Sequence, residues 1–145
     1  MNPTMTPEAR EAFLAATHVG VLAVTEPGRG PCAVPVWYRY APGDVVRITI
    51  PPTSRKTPLL RAAGRASLCV QLETVPYKYV SVEGPVEVIA ADVGADQREM
   101  AERYLGPKLG GQYLQATAAA LRDEVLVVLR PERWWSVDFS KLRFE

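Results

Sequence analysis

The chain has little of what most hydrolases and metalloenzymes rely on. It carries one histidine, His18, and two widely separated cysteines, Cys32 and Cys69. A Ser-His-Asp triad would have to use that one imidazole, and no Gly-x-Ser-x-Gly elbow accompanies it. Just ahead of a strand, His18 reads as a structural or surface residue. Two lone thiols make neither a disulfide framework nor a zinc site with paired ligands; they fit reduced cysteines packed as small strand residues. Glycine-rich phosphate loops are absent in both the GxGxxG and GxxxxGK[ST] forms, which argues against Rossmann and P-loop chemistry. With 17 basic and 16 acidic side chains the net charge is +1, so there is no bulk positive field for nucleic acid and any anion site must be local. No apolar run approaches the roughly 20 residues that cross a bilayer, and MNPTMTPEAR lacks the basic-then-apolar order of a signal peptide. The expectation is a soluble, cytoplasmic chain with neither membrane nor nucleic-acid partners. If it is an enzyme, so few reactive side chains imply chemistry borrowed from a cofactor.

What is present describes one folded domain spanning residues 1–145, with 48% hydrophobic and 23% charged residues. Thr6-Pro7-Glu8 supplies a capping hydroxyl, a proline at the first helical position and an acid in the first turn, which predicts a helix over about 7–17 with Ala9, Ala12, Phe13 and Ala16 at helical spacing. Strand-rich stretches follow at 19–25, 32–40 and 45–50, separated by EPGRGP and APGD turns. ASLCVQLE predicts another strand at 66–73. In YKYVSVEGPVEVIA, Val80, Val82, Val86 and Val88 share one face, while Tyr79, Ser81, Glu83 and Glu87 share the other. Gly84-Pro85 interrupts that long strand, where a bulge or a sharp barrel corner is the usual cause. Two helical stretches, about 95–105 and 112–121, are split by GPKLGG, and strands return at 125–130 and 133–139. Six or more strands with few helices predict a small antiparallel β-barrel with peripheral helices rather than a doubly wound parallel sheet.

The densest local chemistry lies in PPTSRKTPLL, 51–60. Thr57 can cap a short helix with Pro58 at its first position and Gly64 at its end. Thr53, Ser54, Arg55 and Lys56 then stand at a helix mouth, where unpaired N–H groups and the helix dipole favour an anion. Local physics leaves a phosphate seat and a solvated turn as equal alternatives. Aromatic residues add a second signal. Trp37 and Tyr38 in one strand face opposite ways, as do Trp134 and Trp135, so in each pair one ring can fill the core while its neighbour lines a pocket or an interface.

In this order the meander, SRK, the short helix, ASLCVQL and YVSVEGPVEV resemble the split-barrel flavin and deazaflavin oxidoreductases related to pyridoxamine 5'-phosphate oxidase, over about residues 15–138. The resemblance implies a homodimer with a cofactor at each interface, and it assigns Ser54, Arg55 and Lys56, with Thr53 beside them, to the phosphate of flavin mononucleotide (FMN) or of the deazaflavin coenzyme F420. Pro35, Val36 and Trp37 would lie along the ring from the second strand, and Thr49 and Ile50 from the third. Gln71 and Tyr79 would join from adjoining strands, with Trp134 or Trp135 from the partner chain. Pyridoxamine phosphate oxidases end in an arginine- and histidine-bearing substrate segment, whereas this chain ends RWWSVDFSKLRFE. The ending, with PVWYRY and PYKYVSVEG, is more similar to the branch that uses F420, whose acidic glutamyl tail Arg55, Lys56, Arg61 and Lys78 could attract. The implied function is hydride transfer from reduced F420 to a small organic acceptor, with Tyr38 or Tyr79 as candidate proton donors. The alternatives are an FMN oxidoreductase of the same fold and a nonenzymatic flavin or deazaflavin carrier or sensor.

Overall fold

The computed structural model describes residues 2–92 and 94–142. The chain order is α1 (Pro7–Ala15), β1 (Gly20–Val24), β2 (Cys32–Val36), β3 (Val46–Ile50), α2 (Lys56–Ala63), β4 (Arg65–Leu72), β5 (Lys78–Ala90), α3 (Asp96–Thr117), β6 (Val125–Leu129) and β7 (Arg133–Asp138), closed by a 3₁₀ turn at Phe139–Lys141. All strand pairings are antiparallel, and the hydrogen-bonded order is β2-β1-β4-β5-β6-β3, with β7 pairing the first part of β5.

β5 is the strand that both halves of the barrel share. Up to Pro85 it pairs with β4, and from Val86 it pairs with β6. Gly84-Pro85 marks that change, so the interruption in the sequence is a barrel corner, and Gly84 also admits a close approach. A Cβ there would stand 1.8 Å from the Arg130 carbonyl oxygen, because the Arg130 and Glu132 amides donate to the Pro85 and Glu83 carbonyls at 3.0 and 2.9 Å. At the other edge, the backbone of Arg39 exchanges two 3.0 Å hydrogen bonds with Arg47.

The alternation of β5 places Val80, Val82 and Val86 inward with Leu22, Leu68, Val70, Ile48 and Val127, all buried. Each such side chain contributes roughly 1.5–3 kcal/mol by leaving water. α1 starts as the capping pattern predicts, with the Ala9 amide donating to Thr6 Oγ1 at 3.2 Å. Its buried residue is Leu14, however, and Ala9 and Ala12 stay exposed. The strand expected over 32–40 ends at Val36, so Trp37 and Tyr38 lie beyond the ladder. α2 starts two residues earlier than the proline suggested: Arg55 occupies the cap position without a side-chain cap, and Thr57 is buried with its hydroxyl donating to the Pro51 carbonyl at 3.2 Å. Gly64 ends α2 in the left-handed region, φ 68°, as expected. The GPKLGG break reduces to Gly106 alone, φ 79°, with helix on both sides.

Candidate functional site

The ends of β2 and β3 and the start of α2 come together at one side of the barrel. Pro35 and Val36, Thr49 and Ile50, and Lys56 wall a cavity of about 450 Å³ with Trp37 at its rim. That lies within the range of small-molecule sites. α3 supplies the opposite wall: Gln97, Met100 and Ala101 come from before the Gly106 kink, Tyr113 and Leu114 from after it, and Leu121 and Glu124 follow from the segment that enters β6.

Several contacts hold this wall in place. Arg39, one residue past Tyr38, pairs with both Asp96 and Glu99 at the start of α3. Gln97 Nε2 donates to the Leu121 carbonyl at 2.5 Å. Arg103 donates to the Ala15 and Ala16 carbonyls at 3.0 and 2.9 Å. Trp37 stacks on Tyr104 with ring centroids 4.9 Å apart and planes 5° apart, and Tyr113 tilts against it at 5.5 Å. The Tyr104 hydroxyl accepts the Tyr38 amide at 3.0 Å and donates to the His18 carbonyl at 2.6 Å, so the indole is fixed by groups on three segments.

The charges of the SRK stretch are distributed unequally. Arg55 Nη1 reaches both carboxylate oxygens of Glu26 at 2.7 and 2.6 Å, and its Nη2 lies 3.4 Å from Cys32 Sγ. Ser54 Oγ accepts the Lys56 amide at 3.3 Å, and the Ser54 carbonyl accepts the Thr57 amide at 3.1 Å. The donors expected to be open at the helix mouth are therefore partly engaged. Among the described residues Lys56 alone of the pair enters no ion pair, and it is the one that lines the cavity. Thr53, Ser54 and Arg55 lie in the turn before α2 and Arg61 on its exposed side, none of them among the cavity walls.

Other expected residues lie elsewhere. Gln71, Lys78 and Tyr79 border a separate cavity of about 460 Å³ with Tyr77 and Phe139. β5 is three strands across the sheet from β2, roughly 14 Å at the usual interstrand spacing. Lys78 there faces Asp138 at 3.7 Å. Trp134 faces inward, packing against the core with Arg10 4.7 Å from its ring, whereas Trp135 is exposed. Of the two indoles, the one expected to fill the core is Trp134, and Trp135 lies at the surface. Tyr38 is fully buried, its hydroxyl donating to the Leu14 carbonyl at 2.6 Å, and burial drives its pKa far above the ordinary phenol value. Its proton is committed to the core.

The α3 wall was not anticipated from the sequence. Gln97 and Glu124 are polar yet buried, and neither forms a motif. Burial raises the Glu124 carboxyl above its ordinary range, a shift the Thr49 hydroxyl only partly offsets. Burial, then the Glu124 charge, raises the Tyr113 phenol.

A split antiparallel barrel with a ligand-sized cavity where β2, β3 and α2 meet is the architecture of the pyridoxamine 5'-phosphate oxidase class. The chain belongs to the pyridoxamine 5'-phosphate oxidase family, whose model matches residues 5–138. Among solved structures, an F420 reductase is 28% identical, aligning over 90% of this chain and 98% of its own with a TM-score of 0.75. A conserved hypothetical protein of Mycobacterium tuberculosis is 22% identical over 97% of this chain and 91% of its own, also at 0.75. An FAD-binding protein of Mesorhizobium loti is 22% identical over 92% of each chain at 0.64. No curated protein matches. No helix among the described residues is long and apolar enough to cross a membrane.

Proposed function

We propose that the protein binds coenzyme F420 and, with its reduced form, transfers a hydride to a small organic acceptor. The observation that carries this reading is the convergence of Pro35, Val36, Trp37, Thr49, Ile50 and Lys56 on one cavity. All six belong to the set that the resemblance assigns to the cofactor ring and phosphate. The similarity to an F420 reductase at 28% identity supports the deazaflavin over other ring systems.

The residues present fit such a group. The wall is mainly apolar and aromatic, with the flat face of Trp37 fixed in place, as suits a planar ring. Lys56 stands at the helix mouth with its charge unpaired among the described residues, next to Arg55, so a phosphate would gain charge-assisted donors. To recruit Arg55 as well, the anion would have to compete with or extend its contact to Glu26. The bound deazaflavin supplies the hydride. The chain's part is to orient the ring, exclude water and hold the anionic end.

Gln71, Lys78, Tyr79 and Trp135 fit this reading as the contribution of a second copy, since they lie across the sheet from the cavity. A homodimer would bring them to the partner's site.

Titration of the purified chain with F420 and, separately, with FMN tests the proposal. Micromolar affinity for F420 and weaker affinity for FMN is the expected result; the reverse order makes this an FMN protein, and binding without turnover across a broad acceptor panel makes it a carrier. Lys56→Ala should weaken F420 by about tenfold to a hundredfold, the value of a charged hydrogen bond, while the thermal unfolding curve stays in place. Unchanged affinity would return PPTSRKTPLL to a solvated turn.

A further inference from the structure

Glu124 is a carboxyl placed where a structural role gives it little reason to be. It is 7% exposed, it lines the cavity, and no cation lies near enough to offset its charge among the described residues. Left ionised without a partner, such a group costs stability. Its place is nonetheless tightly fixed. The Glu124 amide donates to the Leu121 carbonyl at 3.2 Å, and the Glu124 carbonyl accepts the Ala91 amide at 3.2 Å from the end of β5. The Leu121 carbonyl also takes the Gln97 side chain, which ties this segment to the start of α3. β3 runs alongside, with Ile50 paired to Val125, so Thr49 and Glu124 meet on the cavity side.

We propose that Glu124 is the proton donor of the reaction in this cavity. The inference rests on the hydride-transfer reading given above. When a double bond of the acceptor receives a hydride from the reduced deazaflavin at one atom, its π electron pair collects on the neighbouring atom. Glu124 gives that atom its proton, so the O–H bond of the carboxyl breaks as the new bond forms. The acceptor would thus gain one hydride and one proton, the second hydrogen of the reduced cofactor would pass to solvent as a proton, and the Glu124 carboxylate would regain a proton from water.

The surroundings favour the protonated form of this carboxyl, burial outweighing the Thr49 hydroxyl. From α3 it faces Tyr113, an acid that stays neutral there, and the uncharged Gln97. From β3 it faces the Thr49 hydroxyl. From α2 comes Lys56, which lines the same cavity but stands beyond ion-pair range. If the cofactor's phosphate engages Lys56, that positive charge is neutralised, and the bound state favours the protonated acid further. Tyr38 cannot serve, being sealed in the core, and Tyr79 of the same chain borders a different cavity.

Two measurements test this, the first needing no cofactor. Carboxyl titration of the full chain by carbon-13 NMR, compared with Glu124→Gln, should show one glutamate resonance missing from the variant that titrates above the ordinary 4.5. Glu124→Gln should also unfold at the same or higher temperature than the parent at pH 8, with the difference closing below about pH 4.5, because the neutral amide removes the cost of a buried charge. Second, single-turnover oxidation of reduced F420 with cyclohex-2-en-1-one as the probe acceptor should slow by about 10²–10⁴-fold in Glu124→Gln, the usual size of a general-acid contribution, with F420 affinity unchanged. Glu124→Asp should recover part of the rate. An ordinary titration for Glu124, or full-speed turnover by Glu124→Gln with the parent pH profile, overturns the proposal while leaving the cofactor reading intact. Failure of the parent protein to bind F420 or FMN overturns the cofactor reading itself, and this inference with it.

Discussion

His18 stacks on Phe13 with ring centroids 4.5 Å apart, and its Nε2 is buried without a hydrogen-bond partner. Burial, with a smaller contribution from the Arg103 charge, lowers its pKa below the ordinary 6.5. The folded state then binds fewer protons than the unfolded chain as soon as pH drops through 6.5, so stability falls from there until the lower folded value is passed. Three carboxyls act in the same direction but at lower pH. Glu11 is held down by the Tyr40 hydroxyl, Asp44 by Arg47 and Asp138 by Ser140, and each loses its contribution only as pH falls through the acid range. The two windows are therefore separable. In urea titrations between pH 7.5 and 5, the parent should lose stability relative to His18→Gln, because the raised Glu124 carboxyl, which acts in the opposite direction, is common to both. An identical slope in the variant would assign the acid sensitivity to some other group. The lone histidine was read from sequence as structural or surface, and its half-buried stack on α1 agrees with the first of these.

At the scale of elements, β5 decides the barrel, and Gly84 decides β5. Any side chain there must push aside the Arg130 backbone, which the two hydrogen bonds flanking Gly84 hold against the strand. Gly84→Ala should cost about 1–3 kcal/mol by overpacking, read as a lowered urea midpoint with an unchanged slope; no loss would mean that the β6–β7 turn yields freely. The Gly-Pro pair was legible in the sequence as a bulge or a corner because period-two alternation fixed which valines face inward on both sides of it; the change of partner strand there shows the corner. The strands and the approximate helices were legible for the same reason, since alternation and capping are local. What was not legible follows from the opposite cause. Gln97, Tyr113 and Glu124 meet Pro35, Thr49 and Lys56 only because α3 folds back at Gly106 and is tied to the β2–β3 side by Arg39 and Tyr104. Such contacts span about 40 residues or more and leave no spacing pattern. Trp37 shows the limit at closer range: it reads as a strand residue, yet the ladder ends at Val36 and the ring is placed by its stack on α3.

At the scale of the whole molecule, the outer face of the sheet offers a surface for a partner. The pairings Pro35↔Val21, Val21↔Cys69, Cys69↔Ser81 and Ser81↔Trp135 draw a row over the outer face of the sheet, from β2 to β7. Val21 is 43% exposed and Trp135 52%, with Val19 at 54% beside them. An open sheet face carrying valine, cysteine and tryptophan suits an interface. The row also joins the two groups of expected site residues: Pro35 borders the main cavity at one edge, while Gln71 and Tyr79 lie one row away toward the other. A twofold axis through this face would turn each chain's Tyr79 side toward its partner's Pro35 side, because an isologous interface pairs unlike positions reciprocally. Dimerisation and cofactor affinity should then fail together. At micromolar concentration the parent should sediment as a dimer, and Val21→Glu, which sets a carboxylate in the row and its symmetry mate close by, should sediment as a folded monomer that binds F420 at least tenfold more weakly. Full-affinity binding by a monomer would show instead that the cavity between β2, β3 and α3 is sufficient, and that Gln71, Lys78 and Tyr79 serve some other purpose.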